Sequence, residues 1–571
     1  MENIEVAWLF SEMADLLELK GENPYKVKAY RKAAQILKKV PDDLEILKQK
    51  NKLNTIEGIG AGLAEKIKEI LETGQMQELN LLRKEIPAGL RDILSISGVG
   101  PKLARTFWQK LNITSLAELE AAAKSKKLRE LPHVGPRTEL NIKREIQILR
   151  SMGREIPLTI AIPLLDSLIN SLKLQKNIIK IIPVGSMRRK RDAVGDLDLL
   201  IVSDNPSKTI DFIEKLPEFR EKLEGSYNYC SFLVGNGVKV DAWFVSPEQY
   251  PLAKFYLTGN KDHVRKVFML LKQKGYTCRD YHLFKQGDYV FLTGEEQIYE
   301  LAGMPFIAPE LRENKGEIEA ALSGHLPDLV ATKDVLGDLH IHSNYSDGIN
   351  SIEELVGRAI KKGYQYIAIC DHSKSLGIAN GLNVDKLIEQ NAEIKRINDR
   401  LKDFTVLSGV EVDILADGKL DYPDEVLAKL DLVVASIHSG FKQSKEKMTE
   451  RIISAMRNKH VDIIGHPTGR IIGRRPAYEI DLDKLFITAR ETGTILEINS
   501  SLDRLDLKDE YVRKAKEMNI SLAINTDAHD LAGLDKMVFG VATARRGWLT
   551  KQDVVNTLPV KKLLKKLAKN N

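Results

Sequence analysis

Along roughly the first 150 residues, apolar positions recur at helical spacing and are interrupted by short glycine-bearing turns. This stretch is predicted to be helical. It holds a near-repeat: "IEGIGAGLAEKIKEIL" (56–71), "ISGVGPKLARTFWQKL" (96–111) and "LPHVGPRTELNIKREI" (131–146). From about 156 to 245 the pattern shifts to short β-branched runs, "IIKIIPVGSM", "DLDLLIVS" and "VKVDAWFV", which predict strands of a mixed sheet. Residues 246–315 are mixed and end in "GMPFIAPELREN", and 316–334 are expected to be an interdomain linker. From 335 onward strand-like runs alternate with helical ones: "YIAICDHS", "FTVLSGVEVDIL", "LDLVVASIHSG", "VDIIGHPTG", "GTILEINSS", "ISLAINTDAH". That alternation implies a parallel sheet with crossover helices, open or closed into a barrel.

Length and composition refine this picture modestly. A chain of 571 residues, 43% hydrophobic and 29% charged, reads as an ordinary multidomain globular protein. A net charge of +6 permits nucleic-acid binding without requiring it. Cys230, Cys278 and Cys370 are odd in number and far apart, which argues for a reducing interior and against a disulfide framework or a thiolate zinc cluster. The start, "MENIEVAWLFSEM", lacks the basic and apolar regions of a signal peptide, and no apolar run approaches the roughly 18 residues of a membrane span. A cytoplasmic, nucleoid-associated protein is expected. The tail "VKKLLKKLAKNN" reads as a solvated basic helix end.

Each apolar-Gly-apolar-Gly turn leaves backbone N–H groups unscreened by side chains at the start of the next helix, where a phosphate can approach. Gly58 and Gly60 form the first turn, Gly98 and Gly100 the second, with Lys66 and Lys102 on the following helices. The third copy departs from the pattern, with His133 at the first glycine position. In "NPYKVKAYRKAAQILKK", Lys26, Tyr30, Arg31 and Lys32 form a basic cluster with an interleaved aromatic, which fits a nucleic-acid end or gap better than a plain solvated helix.

"VGSMRRKRDAVGDLDLLIV" carries a second kind of chemistry. Gly185 and Ser186 form a tight turn able to hold a triphosphate, with Arg188 and Arg189 available for charge-assisted contacts. Asp196 and Asp198 lie two apart and so share one face, where they repel unless divalent cations sit between them. Asp241 in "VKVDAWFV" can complete that site from a neighbouring strand. With "AYRKAA", two hairpin motifs, "GS…RR…GDLD", the third aspartate and "YLTGN", residues 1–315 resemble the DNA polymerase X family. The resemblance implies two Mg2+ or Mn2+ held by Asp196, Asp198 and Asp241, and triphosphate contacts from Ser186 and Arg189. It further implies that Tyr256 and Gly259 pack against the nucleotide sugar. Lys66 falls where some members carry a Schiff-base lysine that removes a 5′-deoxyribose phosphate, but Gly62 stands where a companion basic residue is found.

Nearly every strand after 335 ends in a potential metal ligand: His340, His342 and Asp347, then His372, Glu411, His438 and His466, and finally Asp527 and His529. A lone histidine at a strand end is usually a satisfied core or rim residue. Nine at the C-terminal ends of successive strands, where α/β active sites converge, point instead to a divalent-metal cluster. This half resembles the PHP (polymerase and histidinol phosphatase) family. The resemblance implies a distorted (β/α)7 barrel, a centre of two or three Mn2+, Zn2+ or Fe2+ ions, and phosphoester hydrolysis. Asp338 and Asp371 read as supporting residues.

Taken together, the expected fold is an α-helical hairpin region (a lyase-like domain at 1–85 and a fingers-like domain at 86–155), an α+β nucleotidyltransferase palm (156–245), a thumb (246–315), the linker, and the α/β PHP barrel (335–571). The expected function is gap-filling DNA polymerisation in repair. Added to it are a Mn2+-dependent 3′–5′ exonuclease and, as further candidates, 3′-phosphatase and abasic-site endonuclease activities. Expected partners are gapped or nicked DNA and dNTPs, with the protein a monomer away from membranes. Three rival readings are a template-independent nucleotidyltransferase, a PHP half that serves as a scaffold, and a small-molecule phosphatase.

Overall fold

The computed structural model describes residues 3–567 apart from 38–39, 41–43, 74, 95, 97–98, 132–133, 136–137, 141, 144–154, 217 and 236. The chain divides into two compact units, Met1–Gly153 and Arg154–Asn571.

The first unit is helical among its described residues. Its longest helix, Asn3–Lys20, packs along Pro24–Leu37, and Phe10, Met13, Leu17, Ile67, Leu79 and Phe107 are fully buried in one shared core. Gly58 adopts a left-handed φ of 84°, and a Cβ there would collide with Ile36, so the first turn requires glycine. Gly60 leads directly into helix Ala61–Thr73, and Gly100 caps Pro101–Leu111 with proline at the first helical position. The space above both glycines is open. Gly98 and His133 lie outside the described residues.

The second unit begins with a two-stranded ladder of β1 (Ile156–Pro157) and β3 (Ala193–Val194) beside a five-stranded sheet. The sheet comprises β2 (Ile178–Pro183), β4 (Leu197–Ser203), β5 (Phe219–Ser226), β6 (Tyr229–Val234) and β7 (Val238–Val245), in the order β2-β4-β7-β6-β5. β4 and β7 run parallel, and their register sets Asp198 opposite Asp241. The thumb follows, with helices Tyr250–Thr258 and Lys261–Gln273 and an antiparallel sheet of β8 (Tyr276–Arg279), β9 (His282–Lys285) and β10 (Asp288–Val290).

Residues 316–334, expected as the interdomain connection, are ordered and run from the thumb core to the barrel core. Helix Glu317–Leu322 places Ile318 and Ala321 in the thumb core, and the buried Glu317 lies 2.6 Å from His263. Val330 belongs to the core of the following barrel and donates its N–H to Leu549.

The barrel is a seven-stranded parallel sheet in simple sequential order: β11 (Gly337–Ile341), β12 (Tyr366–Ile369), β13 (Thr405–Asp413), β14 (Leu432–Ser436), β15 (Ile463–Ile464), β16 (Ile495–Asn499) and β17 (Leu522–Asn525). It closes nearly completely. Asp527 donates its N–H to His340 and His342 to Ala528 across the β11–β17 seam. The strands are buried on both faces, which explains their uninterrupted apolar runs.

Palm and barrel share a hydrophobic core. Leu505 is buried among palm residues such as Leu165, Met187 and Val194, and Ile472, Leu502 and Phe539 pack against the same cluster. Arg470 of the barrel reaches Asp192 of the palm at 2.8 Å.

Candidate active sites

In the palm, Asp196, Asp198 and Asp241 offer ligand oxygens that all lie within 4.8 Å of one another. Burial, then the neighbouring carboxylates Asp196 and Asp241, push the Asp198 carboxyl up to about 7, and burial and Asp241 likewise raise Asp196. Carboxylates so placed penalise one another's charge unless a cation joins them, so the donor set fits hard divalent ions. Asp241 is fixed by three donors that sequence reasoning did not single out: Tyr229 Oη (3.0 Å), Ser231 Oγ (2.6 Å) and Lys239 Nζ (2.8 Å). The alternation of β6 and β7 puts all four residues on one face, a signal visible only once the strand register is known.

Gly185 holds a φ of 56°, and a Cβ there would fall 1.9 Å from Asp198 Oδ2, so the backbone turns directly over the carboxylates. Ser186 Oγ is buried and has no hydrogen-bond partner, the state expected of a hydroxyl built for a ligand. Arg188, expected at the triphosphate, is committed elsewhere: it is paired with the buried Glu295 and donates to Thr258 Oγ1. Arg189 pairs with Glu313 at 2.9 Å and donates to the Thr258 carbonyl. Tyr256 is 47% exposed, with its ring edge-on to Tyr281, and Gly259 caps its helix against Val264.

Glu295 also accepts from Arg312 (2.9 Å) and lies 3.0 Å from Lys254. Burial opposes its charge, yet Arg188 and Arg312 outweigh burial and hold the carboxyl down to about 2. Glu295→Gln is expected to leave three cations without their counter-charge and to cost about 3–5 kcal/mol, measured by denaturant unfolding. The sign on pH follows from the depressed value. The contribution is complete above the ordinary carboxylate range and is lost as pH falls through it toward about 2. The variant should therefore lack that segment of the acid unfolding profile.

In the barrel, the structure gathers the nine residues singled out from the strand ends. His342, Asp347, His372 and His529 form one group, His340, His342 and Asp527 a second, and His372, Glu411 and His438 a third. His466 Nε2 lies 3.0 Å from Glu411 Oε1. Shared members make this one continuous cluster centred on Glu411. His340 Nε2, His342 Nδ1, His372 Nδ1, His466 Nδ1 and Glu411 Oε2 are buried with no hydrogen-bond partner. His372 Nδ1 sits only 2.7 Å from Glu411 Oε2 without making a hydrogen bond. Lone pairs converging in this way fit a polynuclear centre of imidazole and carboxylate ligands. Burial opposes charge on His372, but Glu411 and Asp347 prevail and raise it to about 10. His342, buried between His529 and His372, is pushed down to about 3. His466 and Asp527 both adopt positive φ (28° and 53°), backbone strain of the kind concentrated at functional sites.

Supporting carboxylates complete the arrangement. Asp338 accepts from Thr526 Oγ1, and Asp371 from the amide and hydroxyl of Ser343, as expected of supporting residues. Two others were missed from sequence. Glu497 on β16 accepts from the His466 amide and lies 2.7 Å from His340 Nδ1, and Asp413 lies 2.5 Å from His438 Nδ1. Both orient an imidazole through the nitrogen that faces away from the cluster.

In the helical unit, Lys26, Tyr30 and Lys66 converge on Glu78, at 2.7, 3.3 and 3.7 Å. Lys66 also pairs with Glu69 at 3.1 Å. Tyr30 is 4% exposed and packs on Phe10, so it does not present a stacking ring as expected. It falls on the apolar face of its helix with Val27, Ala33, Ala34 and Leu37. Arg31 pairs with Asp15 and Glu18, and the largely exposed Lys102 lies 4.0 Å from Glu18.

Four family models match the chain: a helix-hairpin-helix domain (1–76), a SAM-like helix-hairpin-helix tandem (90–147), a DNA polymerase beta thumb (253–313) and a PHP domain (338–501). A probable phosphatase of Thermoanaerobacter sp. (strain X514) is 33% identical over 232 residues, covering 38% of this chain and 89% of that protein. Another, from Acetivibrio thermocellus, is 28% identical over 201 residues, 34% of this chain and 78% of that protein. The DNA polymerase/3′-5′ exonuclease PolX of Bacillus subtilis (strain 168) is 38% identical over 578 aligned residues, spanning 100% of both chains. With helical hairpins, a polymerase beta thumb and a PHP barrel in the same order along that full length, the chain belongs to the PolX family of DNA polymerase/3′-5′ exonucleases.

Proposed function

We propose that the protein fills short gaps in DNA during base-excision-type repair and trims 3′ ends with its PHP barrel. The observation that carries this reading is the presence, in one chain, of two separate ligand clusters of different chemistry: three carboxylates beside an unpartnered serine hydroxyl, and a nine-residue imidazole–carboxylate centre. The substrates are gapped or nicked DNA and dNTPs, and the protein acts as a cytoplasmic, nucleoid-associated monomer. Among the described residues no helix is long and apolar enough to cross a membrane.

In the palm, Asp196, Asp198 and Asp241 hold two Mg2+ or Mn2+. When bound, such ions acidify the primer 3′-hydroxyl and neutralise the leaving pyrophosphate. Tyr229, Ser231 and Lys239 keep Asp241 aimed at the site. The Gly185–Ser186 turn receives the triphosphate through its amides and the free hydroxyl, and Arg189 exchanges Glu313 for a phosphate. Tyr256 and Gly259 bound the sugar. In the helical unit, the turn amides at Gly58, Gly60, Gly98 and Gly100 meet backbone phosphates, with Lys26, Arg31, Lys66 and Lys102 adding charge. Lys66, already paired with two carboxylates, serves phosphate contact rather than lyase chemistry.

In the barrel, His340, His342, Asp347, His372, Glu411, His438, His466, Asp527 and His529 hold two or three Mn2+, Zn2+ or Fe2+ ions. Such ions would supply a nucleophile from water and charge to neutralise a phosphoester. The similarity to probable phosphatases over about a third of the chain favours 3′-phosphatase activity as a second reaction of this site.

The test uses the purified full chain with a one-nucleotide gapped duplex. With dNTPs it should extend the primer to gap closure and stop there. Without dNTPs and with Mn2+ it should release nucleotides from the 3′ end, and inorganic phosphate from a 3′-phosphorylated end. Extension of single strands in preference to the gap would sink the gap-filling reading. Absence of 3′ release across Mn2+, Zn2+ and Fe2+ would sink the nuclease.

A further inference from the structure

β16 is the strand that contributes no member of the nine-residue cluster, yet the turn that follows it, Leu502–Arg504, brings Arg504 to Asp527 of that cluster. Arg504 Nε lies 3.7 Å from Asp527 Oδ2, a loose contact, and its Nη1 is buried without any hydrogen-bond partner. The side chain is 19% exposed. A buried, unpartnered guanidinium nitrogen is costly to keep. The backbone that carries it is tied down. Arg470 donates to the Arg504 carbonyl at 2.8 Å and to the Leu505 carbonyl, and its other nitrogen is tied to Asp192. Leu505, at a left-handed φ of 42°, is locked into the palm core.

We propose that Arg504 is the residue that grips the non-bridging oxygens of the scissile phosphate in the PHP centre. The assignment rests on the phosphoesterase reading above and deepens it. A guanidinium offers paired donors that match a phosphate edge, and charge accumulating on those oxygens during displacement strengthens the contact. An ammonium at the same place supplies charge without the paired geometry. The alternative role, neutralising Asp527 to keep the ligand set together, predicts loss of metal when the arginine is removed.

The experiment uses the full-length, metal-loaded protein as wild type, Arg504→Met, Arg504→Lys and Arg504→Gln. Metal content is measured by elemental analysis, melting temperature with and without inorganic phosphate, and 3′ resection. Arg504→Met is expected to keep the wild-type metal content and lose the phosphate-induced rise in melting temperature. Its resection should fall about 100-fold or more in kcat/KM, with Arg504→Lys recovering only part. Should the methionine variant fail to fold, the lysine and glutamine variants decide by the same readouts. Unchanged phosphate response and resection, or metal content that falls with the substitution, would overturn the assignment. A wild type that releases no nucleotide would overturn the phosphoesterase reading and this inference together, whereas an active wild type with an equally active variant would overturn this inference alone.

Discussion

Asp198→Asn should abolish nucleotide incorporation, lowering it roughly 1,000-fold or more, while 3′ resection continues at the wild-type rate. The substitution keeps the side chain's shape on β4 but removes the palm carboxylate that lies directly beneath the Gly185 turn. Divalent ions at the proposed site would be held by charge that neighbouring carboxylates concentrate, so losing one charge would weaken their binding and the transition-state stabilisation they would give. Folding should not suffer, because a neutral side chain relieves repulsion with Asp196 and Asp241. Primer extension on gapped DNA measured beside nucleotide release with Mn2+ decides the matter. Parallel loss of both activities in a folded variant would contradict two independent sites.

Glu411→Gln should have the reverse effect: gap filling retained, resection reduced roughly 1,000-fold or more, and metal content of the barrel reduced. Glu411 lies within 3.7 Å of nitrogens from His340, His342, His372, His438 and His466, so it joins the separate groups into one centre. Its charge is held well below the ordinary range despite burial, by His438, His372 and His340. An amide of the same size can neither bridge ions nor neutralise them. Elemental analysis of the variant, together with both activity assays, is the check. Full retention of metal with loss of activity would mean that Glu411 serves the reaction rather than the assembly of the centre.

Much of this was legible along the chain because the chemistry was periodic. Asp-x-Asp on an apolar strand, and His, Asp or Glu recurring at strand ends, are patterns that a folded sheet turns directly into proximity. What escaped notice depends on pairing across distance. Lys239 and Ser231 matter only because β6 and β7 align them with Asp241. Glu497 hides in the run "ILEIN", where a single acid in an apolar strand carries no periodic signature. Tyr30 misled for the converse reason: its basic neighbours suggested an exposed ring, while its spacing from Val27 and Ala34 put it inside. Residues 316–334 run between thumb and barrel, and the six-residue helix within them is too short to announce itself by periodicity.

The hydrophobic core that palm and barrel share has a consequence for how the chain is made. On a ribosome the palm strands emerge first, yet Ile472, Leu502, Leu505 and Phe539, which cover their apolar face, are translated more than 200 residues later. At about 5–20 residues per second, the nascent palm must wait on the order of tens of seconds with that face uncovered. The palm therefore completes its core only once the barrel has been made, and a message cut short before Phe539 would leave that part of the palm core uncovered.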